Sequence, residues 1–504
     1  MSRWLDRREA LMIAAMVFGL AYFYLIPWPL LALPGLIWFG LLAWRRLDIA
    51  LALLPLTFPF WYVPKRLFDN KVFPLSEIVL AICVLLAIAH LALVWSRRPL
   101  PPRIWFSAIR SGIGWLVRQL GILVVSGTVL FVIGVSLGVQ VALRRPEALR
   151  AWRWEIAEPL VYFVLLLCYG RSKRAITLLV WSFLGGALIV AVLAIVQVLW
   201  LHVTFRPIAD GNRLVHYAAA AAATPRATAI IYGSANSLGA WLARALPLAL
   251  ALATVAATRR LVRIAAWLLA LVYLPALLWS DSRGAWVAAI VASLVVVALL
   301  WRAARAPLVG LVAAIFIIAI WQREALANAL LLGHGGSGEV RTLLWLASWH
   351  IIRDHLFLGI GPDQFLYYYS PRYTSQPYWI PRLNGHVTPA IYQPDLAQPH
   401  NLLLDLWQSG GLLAIIGFVL LLAGVAGHFW RIWEGRLAWQ DRSYGPLALG
   451  VVASILAGLI HGMVDSAYFA PDLAMAFWWA TALLILIHLQ VGSAHTKVPP
   501  VNSC

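Results

Sequence analysis

The chain has 504 residues, 62% of them hydrophobic and only 12% charged, with 27 Trp and a formal net charge of +19. Soluble domains carry roughly a quarter of their residues as charges, so a large soluble core is excluded and a polytopic membrane protein is expected. The three cysteines, Cys83, Cys168 and Cys504, supply neither a disulfide framework nor a zinc spacing.

In chain order, "MSRWLDRREALMIAAMVFGL" joins a basic head to an apolar run, as a signal sequence does. More apolar segments follow at once, so it reads as an uncleaved first helix. Charge-poor segments of spanning length predict helices at 10–26, 29–44, 49–64, 75–95, 120–143, 156–170, 175–201, 234–258, 262–280, 284–301, 306–321, 401–427, 446–462 and 471–490. The segments 29–44, 49–64 and 156–170 are short and read as tilted or re-entrant. The expected fold is all-α: a transmembrane helical bundle of 12–14 spans with one long, partly helical outer loop. Its organisation is 1–321 in membrane helices, 322–400 as the long loop, 401–490 in C-terminal membrane helices and 491–504 as a tail.

A loop as long as 322–400 is unlike a structureless connection. Its stretch "EVRTLLWLASWHIIRDHLFL" (339–358) has helical spacing, with Val340, Leu343, Leu344, Ala347, Ile351 and Leu358 on one apolar face. The following residues are dense in Tyr, Trp, Pro and Arg. They suit an interfacial belt or stacking on sugar rings.

Charge fixes the expected orientation. With a cytoplasmic N-terminus and alternating spans, the cytoplasmic segments hold 22 bases against 5 acids, while the opposite side holds 16 bases and 15 acids. The net charge is therefore a positive-inside signal and an attraction to anionic lipid, with no nucleic-acid partner implied. The expected location is the cytoplasmic (inner) membrane, with both termini cytoplasmic and the 202–233, 281–283, 322–400 and 463–470 segments on the periplasmic or extracellular face.

On that face ionisable residues recur at span ends: Arg206, Arg226, Asp281, Arg283, Arg341, His400 and Asp465. Arg283 in "SDSRGAW" reads alone as a snorkelling arginine. Ser234 or Asn236 reads as a helix cap after Arg226, "PHN" (399–401) as a helix entrance, and Asp465 as a cap or one interhelical bond. Together they point to a site. Guanidinium forks suit phosphate or pyrophosphate, and the membrane implies that the anion is carried on lipid. His400 suits removal of a proton from a hydroxyl, since histidine is a common general base. A transporter of lipid-linked sugars would concentrate charge near the midplane, where Arg244 alone stands.

The segments "PHNLLLDLWQSGGLLAIIGF", "SRGAW", "RTLLWLASWHIIRDHLFLGIGPDQF", "RATAIIYGSANSLGAWLARALPLAL" and "HGMVDSAYFAPDLAMAFWW" resemble, in order over about 226–480, motifs of the O-antigen ligase family. That family includes O-antigen ligases, O-antigen polymerases and protein O-oligosaccharyltransferases. The resemblance implies a membrane-embedded glycosyltransferase fold of GT-C type and a glycan donor on undecaprenyl diphosphate. It also implies an acceptor hydroxyl on a glycan, lipid or protein. Carried over, His400 is the catalytic base, and Arg226, Arg283 and Arg341 hold the diphosphate. Asn401, Asn236 and Asp465 support them. Gln408 stands where Glu is usual, and "SAN" where "npN" is usual. The expected reaction is inverting transfer without metal or other cofactor, by a ligase or, alternatively, an O-antigen or exopolysaccharide polymerase or a protein glycosyltransferase.

Overall fold

The computed structural model describes residues 7–67, 71–97, 117–208, 216–221, 226–232, 234–254, 260–308, 337–370, 396–434, 444–466 and 468–496, with a few isolated positions between them. Among these, ten helices are long and apolar enough to cross a membrane, and shorter apolar ones run over Pro29–Arg45 and Leu47–Tyr62. The chain is thus an all-α polytopic bundle. The predicted span 306–321 lies largely outside the described residues.

Two short segments depart from simple spans for local reasons. In 49–64 an α-helix Leu47–Leu53 tightens into a 3-10 helix Leu54–Tyr62 containing Pro55 and Pro59, because proline cannot donate to the α ladder. In 156–170 the helix proper covers only Glu158–Tyr169 and is preceded by a π-helical turn, Arg153–Ala157. A second π turn, Gln197–Leu201, closes the helix Lys173–Val196. Strands are minor: Lys65–Arg66 pairs with Val72–Phe73, and Val203–Ile208 with His216–Ala221, both antiparallel.

The helices Ile122–Val141 and Leu402–Glu434 meet along glycine. A Cβ on Gly134 would lie 2.6 Å from Ala414 N, one on Gly410 2.6 Å from Val135 N, and one on Gly424 2.8 Å from Val124 N. Small residues let membrane helices pack backbone to backbone, and this seam anchors the helix that carries His400 at its start.

That helix is broken. Gly410 and Gly411 leave helical φ/ψ, Gly411 at φ +63°. The break frees backbone groups, and the long loop satisfies them. Ile360 N and Gly361 N donate to Gln408 O at 2.7 and 3.2 Å, and Leu412 N donates to Phe357 O at 3.2 Å. The "GIG" of the loop and the "SGG" of the helix thus interlock.

The loop's predicted helix is present as Ser337–Asp354. Val340, Leu343, Leu344, Ala347 and Ile351 are buried, forming a separate small core with Ile360, Phe365 and Tyr369. Leu358 is 41% exposed, since the helix ends four residues before it and its side chain leaves that face. Gln364, fully buried, accepts from Arg144 N at 2.8 Å and donates to Arg144 O at 3.2 Å, clamping the loop to the start of the helix Arg145–Trp152.

Candidate functional site

His400 precedes the helix Leu402–Glu434 with a left-handed backbone, φ +51°, a conformation that costs a non-glycine residue and tends to persist where function demands it. Its next neighbour pins the turn. Asn401 Oδ1 accepts from Leu403 N at 3.0 Å and Leu404 N at 3.2 Å, a helix N-cap, while Asn401 Nδ2 donates to Met463 O at 3.0 Å. Asn401 therefore ties the His400 turn to the 463–466 segment. It does not touch the imidazole.

Across that tie, His400 Nδ1 lies 2.8 Å from Asp465 Oδ1. The same oxygen accepts from Ser466 N at 2.8 Å, and Ser466 Oγ donates to the buried Asp405 at 3.1 Å. Burial alone would push the Asp465 carboxyl up. The hydrogen bond and charge of His400, the neighbouring His461 and the Ser466 N–H outweigh it and hold the carboxyl well below the usual carboxylate range. An ionised Asp465 accepts a hydrogen bond from Nδ1–H, and in the neutral form of the imidazole this leaves Nε2 as the basic nitrogen.

Arg226 stands on the neighbouring loop. Its Nε donates to Ser280 O at 2.8 Å, and its Nη2 to Asp281 O at 2.9 Å and to Asn236 Oδ1 at 3.2 Å. Arg226 thereby joins the "RATA" and "SDSRG" motifs, with part of its donor set spent on that join. The turn segment it begins is strained, since Ala229 and Ile230 have φ of +55° and +64°. Gln197, buried in its π turn, holds it. Its Oε1 accepts from Thr228 N at 2.9 Å and Ile230 N at 3.3 Å, and its Nε2 donates to Arg226 O at 3.3 Å.

Arg283 opens the helix Arg283–Leu300 and is exposed. The next residue, Gly284, packs against Val464 and His461, which brings the helix start to the 461–465 segment. Arg341 is half-buried on the loop helix. The buried His461 feels the charges of Asp465, Arg244, Arg341 and His400, so Arg341 belongs to the same electrostatic neighbourhood. Arg244, at membrane depth, donates to Ala240 O at 2.8 Å and faces the charge of Asp472, whose carboxylate accepts from Tyr62 and Tyr232 at 3.3 and 3.4 Å.

A cavity of about 350 Å³ opens between these parts, at the lower end of the usual ligand-site range of about 300–1,000 Å³. His400, Asp465, His461, Asn236 and Ser234 line one side; Trp61, Tyr62, Arg150, Trp154 and Glu155 line it as well. His400, Asp465 and Asn236 thus share one chamber, and Arg226 reaches it through Asn236. Arg283 and Arg341 do not line it, and Asn401 serves from behind. Among the described residues no group of three His, Cys, Asp or Glu side chains is placed to hold a metal ion.

Sequence reading missed Gln197, Trp61, Arg150, Trp154 and Glu155 as members of this site. The signal was the segment "RRPEALRAWRWEIAEP" (144–159), charged and aromatic between two apolar runs.

Residues 268–419 match the family model described as O-antigen ligase. The matched stretch contains Arg283, Arg341, His400, Asn401 and Gln408 and bears out the family resemblance read from the motifs. No curated protein matches the chain.

Proposed function

From an O-antigen ligase domain at residues 268–419, we propose that the chain is a glycosyltransferase that moves a glycan from an undecaprenyl-diphosphate carrier to an acceptor hydroxyl. The reaction takes place on the outer face of the cytoplasmic membrane, and both termini are cytoplasmic. The observation that carries the reading is the His400–Asp465 pair, 2.8 Å apart at the wall of a cavity shared with Asn236.

In the proposed reaction His400 Nε2 takes the proton of the acceptor hydroxyl. The hydroxyl oxygen forms a bond to the anomeric carbon, and the bond from that carbon to the diphosphate oxygen breaks, with inversion. Undecaprenyl diphosphate leaves as the anion. A positioned base contributes about 10²- to 10⁴-fold, so offsetting the leaving-group charge supplies much of the remainder. Arg226, through the donor capacity left beyond its three hydrogen bonds, is assigned to that charge, and Arg283 and Arg341, which do not line the chamber, are assigned to it from outside the lining. These fixed cations make the proposed reaction metal-independent. Activity lost on chelation and restored by Mg²⁺ or Mn²⁺ overturns that element of the proposal.

The test of the function is donor consumption by the purified full chain in nanodiscs with a lipid-linked glycan. Release of undecaprenyl diphosphate, abolished in His400→Ala, is the expected result; intact donor in the wild type overturns it. Product length separates the acceptor classes. A single transfer to a second lipid or protein marks a ligase or protein glycosyltransferase, and a ladder of lengthening lipid-linked chains marks a polymerase.

A further inference from the structure

Arg150 has a different setting from the other cations of the site. Its neighbour Arg153 is paired with Glu77 at 3.0 Å and Glu158 at 3.4 Å. Arg226 spends donors on two backbone carbonyls and Asn236. Arg150 has no carboxylate or hydrogen-bond partner among the described residues. Its guanidinium lies over the Trp154 ring, 5.7 Å from the centroid; Arg153 lies 5.5 Å from the same ring but does not line the chamber that holds His400, whereas Arg150 and Trp154 both do. Stacking on an indole orients a guanidinium while using none of its N–H donors. The result is a fork already oriented for a carboxylate or phosphate.

The aromatic support is fixed in turn. Trp61, 4% exposed, meets Trp154 edge to face at 5.9 Å and 82°, and the π turn Arg153–Ala157 places Trp154 and Glu155 at the chamber wall. Indoles offer apolar faces to the C–H side of a sugar.

We infer that Arg150, Trp154 and Trp61 form a sugar subsite beside His400 that selects a glycan residue bearing a carboxylate or phosphate substituent. The inference rests on the proposed function and names the substrate class of that same site. The groups fit an anionic sugar better than a neutral one, because Arg150 makes no ion pair or hydrogen bond with Glu155 or Asp465, the carboxylates that share the chamber, and so keeps its donors for a ligand. The carrier's diphosphate is the other anion that could reach Arg150, and the experiment separates the two.

Binding is measured on the full chain in nanodiscs with three probes: undecaprenyl diphosphate, the same carrier bearing a hexose, and the same carrier bearing a hexuronic acid. The wild type is expected to prefer the hexuronic acid by roughly tenfold or more, the scale of one charge-assisted hydrogen bond. Arg150→Gln should erase that preference and leave the bare carrier's affinity unchanged. Trp154→Leu should weaken both sugar-bearing probes relative to the bare carrier. Equal weakening of all three probes in Arg150→Gln makes Arg150 a diphosphate ligand and overturns the subsite. So does a wild type that binds both sugars alike. Binding is read without turnover, so a chain that selects the acidic sugar but never cleaves the donor fails the proposed function and leaves the subsite standing.

Discussion

His400 and Asp465 are 65 positions apart in the chain and 2.8 Å apart in space, joined through Nδ1 and a carboxylate that the surroundings keep ionised. The contact depends on Asn401, which caps one segment and grips the backbone of the other. In the proposed reaction it orients a histidine at a helix entrance as the base.

Asp465→Asn is expected to keep the fold and lose roughly 10²- to 10⁴-fold in turnover, because the amide no longer fixes the Nδ1–H tautomer. Single-turnover transfer with saturating donor measures it. A rate within twofold of wild type sinks the orienting role.

The same carboxylate predicts a stability profile. Its folded-state pKa is depressed, so its contribution is complete above the ordinary aspartate pKa of about 3.9 and is lost as pH falls from there through the folded value. The melting-temperature gap between wild type and Asp465→Asn in detergent should therefore be fully open at pH 5 and narrow below about pH 4. A gap that closes between pH 7 and 5 contradicts the assignment.

Gln197→Ala leaves the Thr228 and Ile230 N–H groups without their acceptor on a turn already strained at Ile230. A buried, unsatisfied group costs about 1–3 kcal/mol. A lower melting temperature is expected, together with weaker donor binding, as Arg226 loses its backbone support. Gln197→Met, which keeps the side-chain volume but makes neither set of hydrogen bonds, should be comparably severe. A Gln197→Met variant close to wild type would argue against the hydrogen bonds as the cause.

Gly411→Ala tests the interlock between helix and loop. A Cβ there would overlap the Phe357 carbonyl, and the residue holds φ +63°. Strain and overlap together predict at least about 2 kcal/mol of destabilisation. Thermal unfolding in detergent reads it, and an unchanged midpoint would mean that the loop does not lock the broken helix.

The sequence by itself determined the class of protein, the positions of nearly all its helices and the buried stripe of the loop helix. Apolar length and 3.6-residue spacing are local, and nothing in the tertiary structure competes with them. It also singled out His400, Asp465, Asn236 and Arg226, because a polar residue stands out in so apolar a chain. What only the tertiary structure decided was partnership. Asn401 ties two segments as well as capping one, Arg226 spends donors on carbonyls, and Gln197 holds a turn some 30 positions away. Trp61 and Trp154 reach the chamber of His400 from a 3-10 helix and a π turn, and Arg150 from the helix Arg145–Trp152. Long-range contacts across a bundle follow from how helices pack and where they break, and those depend on glycine seams and kinks whose partners lie hundreds of residues apart.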